Sequence, residues 1–142
     1  MNPELRPYRA SDQDALVDLW ERCALTRPWN DPVRDIERKV AHDAANLLLY
    51  EECGHLLGSV MVGYDGHRGW INYLAVDPEH RRRGLGRLLM HEAEQRLRAL
   101  GCAKINLQVR VTNDEALAFY RDLGFRVDDT VSMGLRLEID TP

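Results

Sequence analysis

The residues best placed to do chemistry in this chain lie in two short segments. Arg81-Arg82-Arg83-Gly84-Leu85-Gly86 follows the apolar run Trp70 to Val76 and opens the amphipathic stretch Arg87 to Leu100. Two glycines two positions apart let a backbone bend closely around an anion, and the helix that follows turns free N–H groups and the positive end of its dipole toward it. Neighbouring arginines add charge-assisted hydrogen bonds. The same letters would also serve as a basic turn that starts a helix, so the reading as a phosphate cradle depends on what the rest of the chain supplies. The second segment, Asn113-Asp-Glu-Ala-Leu-Ala-Phe-Tyr120-Arg-Asp-Leu-Gly124-Phe125, follows a further β-like run from Lys104 to Val109. Asn113 and Tyr120 are two helical turns apart and so fall on nearly one face. A phenol of pKa about 10 keeps its proton at neutral pH and can donate it to a leaving group as a general acid. A structural asparagine in a first helical turn and a packed core tyrosine are the plainer readings of the same two residues.

The elements that must position these groups follow from the hydrophobic pattern. Leu5 to Arg9 predicts a first strand, and Ser11 a helix cap ahead of Leu16, Leu19, Trp20 and Cys23 at helical spacing. Asp31-Pro32 starts a second helix that presents Val33, Ile36 and Val40 on one face and ends near Asp43. Asn46 to Glu52 and Leu56 to Tyr64 form a hairpin through Cys53-Gly54-His55. Asp65 to Gly69 then turns the chain into Trp70 to Val76, giving three adjacent antiparallel strands. Leu85, Leu88, Leu89, Ala93, Leu97 and Leu100 mark the strongest helical face, closed by Gly101 in a left-handed cap. Thr112-x-x-Glu115 reads as a capping box for the Tyr120 helix, which stops at Gly124. Val131, Met133, Leu135, Leu137 and Ile139 alternate as in a closing strand with one buried face.

Composition bounds the function classes. A chain of 142 residues with 44% apolar residues fits one domain, residues 1–142, around one core. No run reaches the roughly 18 apolar residues of a membrane helix, and the first residues lack the basic and apolar regions of a signal peptide, so a cytoplasmic protein is expected. Cys23, Cys53 and Cys102 are widely spaced, and His42, His55, His67, His80 and His91 show no metal-ligand spacing, so neither disulfides nor a metal site is expected. The net charge is −4 with a pI near 5.7. A concentrated basic segment from His80 to Arg87 on that acidic background fits a phosphorylated small molecule better than nucleic acid.

In their pairing and order the two segments resemble the GNAT acyltransferase superfamily. Its acyl-coenzyme A site joins a strand, an [RQ]-x-x-G-x-[GA] loop with its helix, a further strand, and a helix of form N-x-x-A-x-x-x-Y ending in G-F. Both motifs match over residues 70–125. Arg27-Pro-Trp-Asn-Asp-Pro32, Asp35-Ile-Glu-Arg-Lys39 and Gly63-Tyr-Asp-Gly-His-Arg-Gly69 are similar to a small bacterial branch called YpeA-like. The resemblance implies an α/β fold, with a mixed, mainly antiparallel sheet flanked by helices on both faces. It implies acetyl transfer from acetyl-coenzyme A to a primary amine in a ternary complex without metal.

By the same resemblance, backbone N–H groups along Arg82, Arg83, Gly84, Leu85, Gly86 and Arg87 face the pyrophosphate, with the side chains of Arg82, Arg83 and Arg87 near the remaining phosphate. Exposed backbone at Leu74 and Val76 pairs with the pantetheine arm. Asn113 assists, and Tyr120 is the acid. Arg27 could clamp an acceptor carboxylate and Trp29 wall the pocket. No general base stands out: Gln108 and the strand Trp70 to Val76 lack the glutamates that relatives keep there, and Asp31, Asp35, Glu37 and Asp65 are the remaining carboxylates near the site. A site without a base favours acceptors of lowered pKa, such as the α-amine of an amino acid or peptide. A binding or sensing module for acyl-coenzyme A without turnover, and a nucleic-acid binder, are the rival classes. Neither nucleic acid nor membrane is an expected partner, and a second copy of the chain is a candidate one.

Overall fold

The structure, a computed structural model, describes residues 2–140. Five strands form one sheet in the order β1 (Glu4–Pro7), β2 (Leu47–Glu52), β3 (His55–Tyr64), β4 (Gly69–Val76), β5 (Ile105–Leu107). The first three pairings are antiparallel and the last is parallel. Parallel pairing of β4 with β5 needs a crossover, which α3 (Leu85–Ala99) supplies.

Alternation along β2 builds both faces of the sheet. Leu47 and Leu49 turn toward α1 (Gln13–Arg22) and α2 (Pro32–Asp43), where they pack with Leu16, Leu19, Trp20 and Ile36. Leu48 and Tyr50 turn to the opposite face and meet Leu85, Leu89, Ala93 and Leu97 of α3. Phe119 and Tyr120 of α4 (Asp114–Asp122), and Leu123 at its C-cap, pack on this second cluster. The sheet is therefore mixed and mainly antiparallel, with two helices on each face, as the pattern of strands and helices predicts.

Several local expectations shift. The first strand ends at Pro7, and a 3₁₀ turn over Ala10–Asp12 precedes α1. That turn is held by Asp12, which accepts the Arg9 N–H at 2.7 Å, rather than by Ser11. On α2, Ile36 is buried as expected, but Lys39 takes the place of Val40 in the interior, since its ammonium donates to the Val62 carbonyl. On α3 the buried stripe runs through Leu85, Leu89, Met90, Ala93 and Leu97, whereas Leu88 and Leu100 are exposed. The cap of α4 is Asn113, whose Oδ1 accepts the Ala116 N–H at 3.0 Å, in place of Thr112. The expected strand Lys104 to Val109 is paired only over Ile105–Leu107.

The largest difference is at the C-terminal segment. Residues 131–139 form no strand, and Val131, Met133, Leu135, Leu137 and Ile139 are 77–92% exposed. The alternation is real, but its polar half faces the protein. Ser132 meets Gln108, Arg136 meets Asn30, and Glu138 and Asp140 meet Arg38. Alternation specifies that a segment has two unlike faces without specifying which partner takes which face.

Candidate active site

The glycine loop meets the helix it opens as the spacing predicts. Gly84 is the N-cap of α3 with φ of 79°, in the left-handed region that glycine enters at no steric cost, and no side chain caps the helix. The first N–H groups of α3 thus have no intrahelical acceptor and no capping oxygen. Arg82 is also left-handed, at φ 65°, so the loop curls twice before the helix begins. Gly86 serves another purpose. A Cβ there would lie 3.1 Å from Phe119 Cζ and 3.7 Å from Val76 Cγ2, so its lack of a side chain brings loop, β4 and α4 together. Leu85 is buried. The arginines differ among themselves. Arg83 donates to Glu52 Oε2 at 2.6 Å, an oxygen that Tyr50 also reaches at 2.8 Å, while Arg82 and Arg87 are exposed.

β4 and β5 part soon after they pair. Their last partners are Ile71 and Leu107, beyond which β4 runs on through Leu74 to Val76 alone on that side. The separation coincides with a bulge. Opposite β3, Ser59 pairs with Ala75 and Met61 with Asn72, so Tyr73 and Leu74 together face the single residue Val60, and Tyr73 has φ of 51°. The result is a large crevice of about 2310 Å³, bordered by Leu74, Gln108, Asn113 and Tyr120 on one side and by Arg27, Asp35 and Arg38 on the other. Gly84 and Arg87 lie outside this lining, bordering a smaller hollow with Leu123 and Phe125.

Tyr120 reaches the crevice from α4 with its ring held edge-on between Phe119, at 5.1 Å, and Phe125, at 5.7 Å. Burial alone pushes its hydroxyl up to about 12, since removing the phenolate from water disfavours the charged form. Asn113 spends its carbonyl oxygen on the cap of α4, which leaves the amide N–H groups for other contacts.

The acceptor-side residues are held by polar contacts. Arg27 donates to the Ala24 and Thr26 carbonyls at 2.8 and 2.9 Å, closing the loop between α1 and α2 on itself. Trp29 is half exposed, with the Arg110 guanidinium 5.4 Å from its ring centroid. This cation–π contact joins that loop to the far bank. Of the four carboxylates that the sequence left near the site, Asp31 caps α2 through Val33 N–H and Asp65 accepts the His67 and Arg68 N–H groups of its turn. Glu37 is exposed. Asp35 alone of the four borders the crevice, where it accepts a 2.6 Å hydrogen bond from the Tyr73 hydroxyl. Sequence reasoning missed the Tyr73–Leu74 bulge and this contact. No glycine marks the bulge, and the two partners are 38 residues apart.

A crevice opened by splayed parallel strands, an enclosed phenol beside it and a glycine-capped helix bordering a neighbouring hollow mark the site of an α/β protein. The family model for the acetyltransferase (GNAT) family matches residues 13–125. The chain is 46% identical over 137 residues to acetyltransferase YE1169 of Yersinia enterocolitica, covering 96% of this chain and 97% of that protein. It is 48% identical over 134 residues to acetyltransferase ECA0875 of Pectobacterium atrosepticum, covering 94% and 95%. A solved PaiA N-acetyltransferase from Thermoplasma acidophilum, in complex with coenzyme A, shares the fold at a TM-score of 0.73 and 18% identity over 92% of this chain and 94% of that one. The chain belongs to the GNAT acetyltransferase family and is an acyltransferase.

Proposed function

We propose that the protein transfers an acetyl group from acetyl-coenzyme A to a primary amine, the acceptor being an amino acid, a peptide or a small-molecule amine. The observation that carries the reading is the break between β4 and β5 at the Tyr73–Leu74 bulge. It leaves the β4 backbone at Leu74 without a β5 partner beside Tyr120, on a strand that also touches the glycine loop at Gly86. The Val76 carbonyl accepts from Cys23 Sγ at 3.2 Å and Arg81 Nε at 3.3 Å, so only the Val76 N–H is left for the donor. An extended donor with a pyrophosphate at one end and two amides along its arm fits that sequence of features: uncapped N–H groups at Gly84, Leu85, Gly86 and Arg87, then a free strand edge. Arg82 and Arg87 are exposed toward solvent for a further phosphate, whereas Arg83 must leave Glu52 to join them. Asn113 contributes its amide N–H groups.

In this reading the two substrates bind together. The amine nitrogen bonds to the acetyl carbon, backbone N–H near Val76 polarises the carbonyl, and the carbon–sulfur bond breaks with the Tyr120 proton passing to sulfur. A phenol held at about 12 keeps that proton throughout the neutral range, so Tyr120 is always in its donor form. Arg27 borders the acceptor, and Trp29, outside the crevice lining, acts there only through its contact with Arg110.

The test is a screen for released thiol with acetyl-coenzyme A and a panel of amino acids, polyamines, aminoglycosides and peptides. Thiol release that depends on one amine class supports the reading. Donor binding in the micromolar range with no release for any amine would instead leave a binding module, and no donor binding would remove the reading altogether.

A further inference from the structure

We propose that the Tyr73 hydroxyl, backed by the Asp35 carboxylate, is the group that takes the proton from the attacking amine. This rests on the transfer reading above and supplies the base that the sequence does not reveal. The geometry is built around one residue. Tyr73 stands in the bulge with its backbone left-handed at φ 51°, a strained conformation that a non-glycine residue keeps only where its surroundings hold it. The surroundings fix it at both ends. Its ring lies flat on the buried Trp20, centroids 3.7 Å apart and planes 12° apart. The Trp20 indole N–H donates to Ser59 Oγ at 2.9 Å, and the Ser59 hydroxyl donates to the Tyr73 carbonyl at 2.8 Å.

The hydroxyl so fixed donates to Asp35 Oδ2 at 2.6 Å, and the other carboxylate oxygen of Asp35 accepts from Arg38 at 3.0 Å. With its own proton committed to Asp35, the Tyr73 oxygen can still accept a hydrogen bond or a proton from a group in the crevice, which both residues border. Burial first, and then Asp35, push this phenol above its ordinary range, so it acts as a neutral relay and never as a stored phenolate. The charged groups around it are Asp35 and Arg38 of α2 and Asp140 of the C-terminal segment, with Cys23, Arg27 and Lys39 also bordering the crevice.

The step balances. As the neutral amine nitrogen bonds to the acetyl carbon it becomes acidic and gives its proton to Tyr73 Oη, while the Tyr73 proton passes to Asp35. The sulfur receives the Tyr120 proton. Solvent then returns Asp35 to carboxylate and Tyr120 to phenol. Tyr73 is thus a catalytic residue, and Asp35 acts through it.

The experiment compares Tyr73→Phe, Asp35→Asn and the double variant on whichever amine the native protein acetylates. Tyr73→Phe keeps the ring on Trp20 and should keep the melting temperature and the affinity for acetyl-coenzyme A, yet lose kcat by about 100-fold or more. Asp35→Asn should lose a similar factor in kcat while the KM for acetyl-coenzyme A stays within about two-fold of native. The double variant should be no worse than about three-fold below Tyr73→Phe, because the two act as one unit. Asp35→Glu should recover part of the rate. A folded Tyr73→Phe protein within about three-fold of native kcat, or two losses that multiply in the double variant, overturns the proposal. If Tyr73→Phe does not fold, Asp35→Asn decides by itself: a folded variant within about three-fold of native kcat, or one whose loss lies in KM with kcat kept, overturns it. Failure of the native protein to acetylate any amine is a failure of the transfer reading and is seen before any variant is made.

Discussion

The two banks of the crevice are held by different physics. On the donor bank, β4, α3 and α4 meet through apolar contact and backbone: a left-handed glycine, a second glycine pressed on Phe119, and a tyrosine between two phenylalanines. On the acceptor bank, α2 and the C-terminal segment meet through charge: Arg38 bonds Asp35 and Asp140, and Asp140 also accepts the Asp31 N–H at 2.9 Å. A donor common to a whole family can be gripped by backbone, which any side chain tolerates. An acceptor of particular chemistry has to be met by side chains.

If that division holds, variants on the donor bank should affect every acceptor alike. The largest effect expected there is Tyr120→Phe, with turnover reduced on the order of ten- to a thousand-fold and donor affinity little changed, as follows if its hydroxyl acts only as the thiolate leaves. Steady-state kinetics beside calorimetry checks this. Full turnover in a folded variant would reduce Tyr120 to a packing residue and leave the acid unassigned.

Next come the two glycines, which sharpen the comparison because they fail for different reasons. Gly86→Val would drive a side chain into Phe119 and Val76, so α4 must shift and carry Tyr120 and Asn113 with it. Donor affinity should fall by about ten-fold or more, with overpacking costing about 1–3 kcal/mol of stability. A Cβ at Gly84 meets nothing within 4 Å, so its cost is the left-handed backbone alone. Gly84→Asn, whose side chain tolerates that conformation, should bind the donor nearly as well as native, whereas Gly84→Val should not. Equal losses in Gly84→Asn and Gly86→Val would show that both glycines only make room for the ligand.

What the sequence discloses follows the same division. The glycine loop, the α3 face around Leu89 and Leu97, the cap at Asp31-Pro32 and the Asn113–Tyr120 spacing are local patterns, and each is found where it is read. The motif residues were legible because a left-handed backbone favours glycine at Gly84 and the close approach of Phe119 and Val76 favours it at Gly86. The acceptor bank is not local. Tyr73 pairs with Asp35 from another element, Lys39 is buried because a strand carbonyl awaits it, and the alternation from Val131 to Ile139 fixes no partner. None of these has a neighbour in sequence that would announce it.

The smallest expected effect breaks or keeps the electrostatic half of the comparison. Arg38, and after it the Asp31 N–H, hold the buried Asp140 carboxyl well below the usual carboxylate range. A carboxyl whose folded pKa is depressed stabilises the protein fully above its unfolded value of about 3.9, and loses that contribution as the pH falls below it. Asp140→Asn should therefore lower the denaturant midpoint at pH 7, and the gap from the native protein should narrow as the pH is taken from about 5 to about 3. Because Asp140 ties only the acceptor bank, the affinity for acetyl-coenzyme A should stay within about two-fold of native. A gap that is constant with pH would mean that the contact stabilises by packing alone. A donor affinity that falls with it would mean that the two banks are not independent.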